Sequence, residues 1–284
     1  MSSSKSAVLC IMILFLIQGR EMERKNWFLH LVTDYGVGDP AFGEVVHKIR
    51  TLDSFVEVYP TSVPPFSTLA TGFWIAQYAL QNPFPLLAVY SNTAPRTLTG
   101  KRRENEGEVF LFATLRNGVP VFAVHAGYAF SFIKKDIVSL HEVKVQNKGS
   151  QFRSRDYFPE AVVGILHGEK EYVGKGYEIG AILDIPSKRI ASVDGYGNIK
   201  TTVRTSNQAI PFGSLLKVSI NRKVKQARVV HGIFEVEKDQ LAFAPGSSGC
   251  DDRFWELSLR GGSAWELFSK PRVESSVAYK EVER

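Results

Sequence analysis

Several residues able to do chemistry stand at one kind of position in this sequence, directly after a short apolar run. The run 28–32 ends in Thr33-Asp34-Tyr35-Gly36-Val37-Gly38-Asp39. A carboxylate there, Asp34, offers two acceptor oxygens that can chelate a vicinal diol such as a ribose, and Gly36 and Gly38 let the backbone come close to a ligand. The competing reading gives Asp34 or Asp39 the ordinary work of capping the following helix. The run 86–90 leads into Ser91-Asn92-Thr93-Ala94-Pro95-Arg96. Hydroxyls beside a guanidinium can hold an anion or orient a water, or they can form a plain turn with Arg96 on the surface. His125 follows the run 119–124, and a lone histidine there is more often structural than catalytic. In the segment 151–166, Ser154 or Asp156 lies at the start of an apolar-faced helix. Free N–H groups and the positive end of the helix dipole attract an anion at such a place, although an N-cap with exposed arginines reads equally well.

These residues need elements to hold them. The apolar run 28–32, the glycine-bearing turn and the helical spacing of Ala41, Val45, Val46 and Ile49 read as strand, loop, helix. In open α/β sheets, ligands sit beyond the carboxyl ends of the strands, so Asp34 faces a crevice. A second strand over 55–59 ends in a loop over 60–66 in which Pro64 and Pro65 restrict the backbone before Phe66, whose ring turns either toward a ligand or into the core. Ser67 can cap a helix carrying Leu69, Phe73, Trp74, Ala76 and Tyr78. Segments 108–113 and 119–124 flank Arg116-Asn117-Gly118 as a hairpin. A glycine-bearing stretch over 170–185 closes at Pro186-Ser187-Lys188, and beyond it the grammar changes to short strands over 190–193, 199–203, 215–220, 226–230, 240–243 and 254–259. The expectation is an α/β domain over 26–187 with a mostly parallel central sheet, followed by a small antiparallel β-barrel domain over 188–284.

At 284 residues, with 44% apolar and 23% charged residues, the chain has ample material for a core. The net charge of +6 would suit an acidic partner, but the basic residues are scattered or sit beside acids, as in Lys101-Arg102-Arg103-Glu104-Asn105-Glu106, which weakens a nucleic-acid reading. Cys10 and Cys250 stand far apart, and the histidines lack paired spacing, so neither a disulfide framework nor a metal site is expected. The apolar run 7–17 is too short to span a bilayer, and it resembles the core of a signal peptide without a convincing cleavage site. Residues 1–25 are read as a leader or other segment outside the fold, and the expected location is cytoplasmic, with secretion or a membrane tether left open.

Three segments in register across both halves add a resemblance. Leu31-Val32-Thr33-Asp34-Tyr35-Gly36, then Val193-Asp194-Gly195-Tyr196-Gly197-Asn198-Ile199, then Gly246-Ser247-Ser248-Gly249 with Gly261-Gly262-Ser263-Ala264 occur in the order of one family. The chain resembles the S-adenosyl-L-methionine hydrolases (hydroxide adenosyltransferases) and the related adenosyl-forming fluorinases and chlorinases. The resemblance implies trimers whose ligand sites lie between the N-terminal domain of one subunit and the C-terminal domain of the next. It implies that Asp34 holds the ribose hydroxyls and Phe66 lines the pocket, and that Asp194 and Ser247 bind the methionine end. Tyr196 and Phe234 would sandwich the adenine, with Asn198 and the Gly261 backbone reading its edge. Tyr90, Thr93 and Ser154 fall where the halogenases place nucleophile-facing groups, and Arg96 falls near the arginine of the hydrolases. S-adenosyl-L-methionine enters as substrate, with no cofactor and no metal.

The chain also departs from that pattern. The hydrolases carry an aspartate in the 90–92 region and a histidine where this sequence has Arg153, so polarising a water would fall to Asn92 or His125. The leading expectation is cleavage of S-adenosyl-L-methionine by water to adenosine and L-methionine. The alternatives are halide transfer giving a 5′-halo-5′-deoxyadenosine, a catalytically silent adenosyl-binding protein, and a secreted or tethered structural protein.

Overall fold

The structure, a computed structural model, describes residues 25–94, 107–146, 149–207 and 210–282. Arg96, Cys10 and the apolar run 7–17 lie outside the described residues. The first half begins as β1 (Phe28–Thr33), α1 (Pro40–Leu52), β2 (Glu57–Ser62), α2 (Thr68–Leu80) and β3 (Leu87–Asn92). It continues as β4 (Phe110–Leu115), β5 (Pro120–Val124), β6 (Ile137–Val143), α3 (Arg153–Asp156), α4 (Phe158–Leu166) and β7 (Val173–Gly176). The seven strands form one sheet in the order β2-β1-β3-β5-β4-β6-β7.

The expectation of a mostly parallel sheet needs correction. β2, β1, β3 and β5 pair in parallel, while the β5–β4, β4–β6 and β6–β7 pairings are antiparallel. A parallel return needs a crossover of roughly a dozen residues or more. The turn Arg116-Asn117-Gly118, with Gly118 at φ 84°, leaves no room for one, so the chain doubles back from β4 to β5. β2 also runs through Pro60 rather than stopping at it. It is an edge strand paired with β1 on one side, where a proline lacking its N–H is tolerated.

The second half comprises β8 (Ile190–Val193), β9 (Ile199–Arg204), β10 (Leu215–Ile220), β11 (Lys223–Val229), β12 (Leu241–Pro245), β13 (Phe254–Leu259), α5 (Ala264–Leu267) and β14 (Val277–Glu281). Their order is β14-β10-β11-β12-β13-β9-β8, antiparallel except for β11–β12. The sheet curls until its edges meet at a single bridge, Arg189 to Ser276, where the Val277 N–H donates to the Lys188 carbonyl. A closed barrel needs pairing all the way round, so this is a curled open sheet and not the small barrel expected. Ile199, Val218, Phe243, Trp255 and Leu257 fill its interior.

The helices fix which strand ends are accessible. α1 and α4 cover one face of the first sheet over Leu29, Leu31, Ala88, Tyr90 and Phe122. α2 covers the other face over Val32, Val89 and Val121. Its far side also packs on the second half, where Leu69, Phe73 and Phe132 meet Ala191 and Phe254. Burial on both sides leaves Gly72 no space for a side chain, since a Cβ there would lie 2.2 Å from the Tyr128 carbonyl. Among the described residues, no helix is long and apolar enough to cross a membrane.

Candidate functional site

Asp34 follows β1 at the carboxyl edge of the sheet. The helix cap is its neighbour: Asp39 Oδ1 accepts from the Ala41 N–H at 2.9 Å, with Pro40 in the first turn. Asp34 is therefore outside the helix, and its Oδ2 accepts from the Phe66 N–H at 2.9 Å. That bond ties the end of β1 to the loop before α2, where Phe66 takes φ 63° and is 53% exposed rather than in the core. Ser67 then caps α2, accepting from the Ala70 N–H and donating to Glu274 of the second half at 2.8 Å.

Beside Asp34 runs a chain of hydroxyls. The β1–β3 register sets Leu31 opposite Tyr90 and Thr33 opposite Asn92. Tyr90 is fully buried and donates its phenol to the Ser154 carbonyl at 2.8 Å. Burial pushes its pKa well up, so it stays a neutral donor. The Tyr35 hydroxyl lies 2.6 Å from Ser154 Oγ, and Asn92 Nδ2 donates to it at 3.4 Å. Burial pushes Tyr35 to about 12. Thr93, on the opposite face of the sheet, accepts from the Thr71 hydroxyl at 2.8 Å and is buried. Two more hydroxyls at these strand ends, Thr33 Oγ1 and Ser91 Oγ, are buried without a hydrogen-bond partner among the described residues.

Neither residue proposed for the 151–166 helix start caps it. Ser154 sits inside the one-turn α3 and is buried, because Tyr35 and Tyr90 claim its hydroxyl and carbonyl. Asp156 ends α3, and Arg155 beside it, with the Ser150 hydroxyl, holds its carboxyl below the usual range. Arg153 lies 5.2 Å from the Phe158 ring centroid and donates to the Glu108 carbonyl at 3.4 Å. His125, at the exit of β5, has its ring against Phe130 and Tyr177, and burial lowers its pKa, favouring neutral imidazole.

The second group is built on the turn between β8 and β9. Asp194 Oδ1 accepts from the Tyr196 and Asn198 N–H groups, both at 3.0 Å, and Oδ2 accepts from Asn198 Nδ2 at 3.0 Å. Lys200 Nζ stands 3.5 Å from the same Oδ2 and 2.7 Å from Glu256 Oε2. These three hydrogen bonds and the Lys200 ammonium surround the carboxylate, so Asp194 organises its turn. Gly197, at φ 79°, allows the turn to pass Ser263, whose Oγ would lie 2.0 Å from a Cβ. The turn presents Tyr196, 84% exposed, and Phe234, under the Arg260 guanidinium, is 83% exposed. Ser247 is exposed beside buried Ser248, and Gly261 turns at φ 82° next to Lys238.

The structure thus joins Asp34 with Phe66, Asn92 with Ser154 through Tyr35, and Tyr90 with the Ser154 carbonyl. Separately, it joins Asp194 with Tyr196 and Asn198. Sequence reasoning missed Tyr35 and Lys200 as the nodes. Tyr35 had a signal, since it stands next to Asp34 in the motif. Lys200 had none, since a lysine in a strand reads as solvent-facing. A cavity of about 520 Å³ lies at the far end of α2, between Arg116, Asp136 and the Arg204–Asp252 pair, at the opposite edge of the sheet. Among the described residues no cluster of His, Cys, Asp and Glu could hold a metal ion.

No protein-family model matches the chain, and no curated protein matches it. Among solved structures, it is similar to an uncharacterized conserved protein from Thermotoga maritima, with a TM-score of 0.70 and 17% identity over 89% of this chain and all of that one. A conserved hypothetical protein from Thermus thermophilus is similar at a TM-score of 0.65 and 17% identity, again over 89% of this chain and all of the other. At that identity the likeness shows the fold alone.

Proposed function

We propose that the chain cleaves S-adenosyl-L-methionine by attack of water on the ribose C5′, releasing adenosine and L-methionine. The observation that carries this reading is the juxtaposition at one sheet edge of the Asp34 carboxylate, which in this reading holds the ribose diol, with the hydrogen-bonded chain Asn92–Tyr35–Ser154–Tyr90. A sulfonium leaves as a neutral thioether, so the leaving side needs little acid catalysis. The enzyme's task is to hold and aim the nucleophile in line with the C5′–S bond.

In this reading the curled second sheet is the counterpart of the family's C-terminal barrel, and the exposed rings of Tyr196 and Phe234 await the adenine. A neighbouring subunit in a homotrimer would bring them to Asp34. A second reading, a silent adenosyl-binding protein, is favoured by one observation: Arg153, standing where the hydrolases have histidine, is engaged with Glu108 and Phe158.

Purified protein incubated with labelled S-adenosyl-L-methionine, with and without chloride or fluoride, separates the readings. Adenosine formed without halide supports hydrolysis, halide-dependent product supports halogenation, and binding without turnover supports the silent protein. Asp34→Ala should weaken adenosine binding roughly tenfold to a hundredfold through loss of charge-assisted bonds to the sugar; unchanged affinity would refute the ribose assignment.

A further inference from the structure

We infer that Tyr35 is the residue that sets the hydrogen-bonding polarity of the nucleophile position, turning Asn92 and Ser154 into an acceptor and a donor so that the site takes water in preference to halide. The inference rests on the hydrolytic reading above and deepens it. Its argument is a count of protons. Asn92 Nδ2 donates to the Tyr35 oxygen, so the Asn92 Oδ1 points away as an acceptor. The Tyr35 and Ser154 hydroxyls lie 2.6 Å apart, where either can donate; the phenol, a stronger donor than an alkyl hydroxyl and already accepting from Asn92, is assigned the donor role. With its oxygen accepting, the Ser154 hydroxyl keeps its own proton to donate elsewhere. Tyr90 cannot compete for that role, since its single proton is committed to the Ser154 carbonyl.

The geometry around Tyr35 holds this arrangement. The Ser62 hydroxyl donates to the Tyr35 carbonyl, and Phe42 and Phe152 meet its ring edge to face at 5.1 and 5.8 Å. A phenol packed this way loses little entropy when it orders two neighbours. Water fits a site with one donor and one acceptor, because it accepts from Ser154 while donating to Asn92. A halide accepts only, and a carbonyl oxygen facing it is repulsive. In the reaction the water oxygen bonds to C5′ as the C5′–S bond breaks, the electron pair leaves with the methionine sulfur, and the extra proton passes to solvent. Tyr35 touches none of the reacting atoms, so it is a positioning residue.

The test compares wild type with Tyr35→Phe, Ser154→Ala and the double variant. Four quantities are read: adenosine formation, binding of S-adenosyl-L-methionine by calorimetry, inhibition by chloride, and the thermal midpoint. Tyr35→Phe should cut kcat roughly tenfold to a hundredfold with KM and substrate binding retained. Chloride inhibition should strengthen at the same time, because the freed Asn92 amide can turn its N–H₂ toward the anion. The double variant should lose no more than the larger single loss, since both changes break one relay. A Tyr35→Phe enzyme with unchanged kcat and unchanged chloride sensitivity overturns the inference and leaves the hydrolytic reading standing. Losses in the two single variants that simply multiply in the double variant also overturn it. Wild type that binds the substrate and yields no adenosine overturns the hydrolytic reading and the inference together.

Discussion

Replacing Lys200 by methionine puts the organisation of the Asp194 turn to a direct test. Lys200 Nζ is the cation between two carboxylates, 2.7 Å from Glu256 and 3.5 Å from Asp194. Its side chain is 9% exposed, and those of Glu256 and Asp194 are 12% and 24% exposed. Methionine keeps the volume and removes the charge, leaving two partly buried carboxylates facing one another. Breaking a buried pair by removing one partner costs about 3–5 kcal/mol, most of it the penalty on the charges left behind. At about 2–4 °C per kcal/mol for a chain of this size, the midpoint should fall by roughly 6–20 °C. A second variant gives the cause away: adding Glu256→Gln to Lys200→Met removes one of the two facing charges, so the double variant should melt above Lys200→Met alone. A Lys200→Met midpoint within about 1 °C of wild type, or a double variant no more stable than the single one, would refute the view that Lys200 holds this turn.

Tyr90→Phe removes the donor to the Ser154 carbonyl and leaves that buried oxygen unsatisfied; urea titration should show a loss of about 1–3 kcal/mol, and no loss would mean the bond is dispensable. His30 stacks on Tyr78 at 3.8 Å and burial pulls its pKa from 6.5 to about 4. Its contribution is therefore complete above the unfolded pKa and lost as pH falls through the folded one. His30→Leu should flatten the stability profile between those two values by about 1–2 kcal/mol, less than a fully buried ring would give because this one is only half-buried; a slope equal to wild type's would contradict this. Gly197→Ala meets Ser263 and a left-handed φ at once. It should cost about 1–3 kcal/mol by calorimetric melting.

Much of the first half was legible because its physics is local. The strand, glycine turn and helix of 28–52, the Ser67 cap and the hairpin at Gly118 all follow from period, caps and turn residues. The strands that escaped lacked a period. β6 buries Ile137, Leu140 and Val143, spaced by three rather than two, and a bulge opposite Thr114 and Leu115 breaks the alternation at the first of these steps. β7 carries two glycines, and Gly174 is there because a Cβ would sit 2.7 Å from the Glu142 carbonyl. β14 buries only Val277. The parallel-sheet expectation failed at the hairpin, whose antiparallel direction β6 and β7 then continue. At the site, residue types near strand ends were readable, while their pairing was not. Asp39 rather than Asp34 caps α1, Ser154 is enclosed rather than capping, and Tyr35 gains its role from residues more than fifty positions away.

Running the reaction in heavy-oxygen water tests the central claim most directly. Attack by water on the ribose C5′ predicts that purified protein converts S-adenosyl-L-methionine to L-methionine and adenosine carrying the solvent oxygen at its 5′ hydroxyl. Absence of adenosine, or adenosine whose 5′ oxygen does not come from solvent, would contradict it.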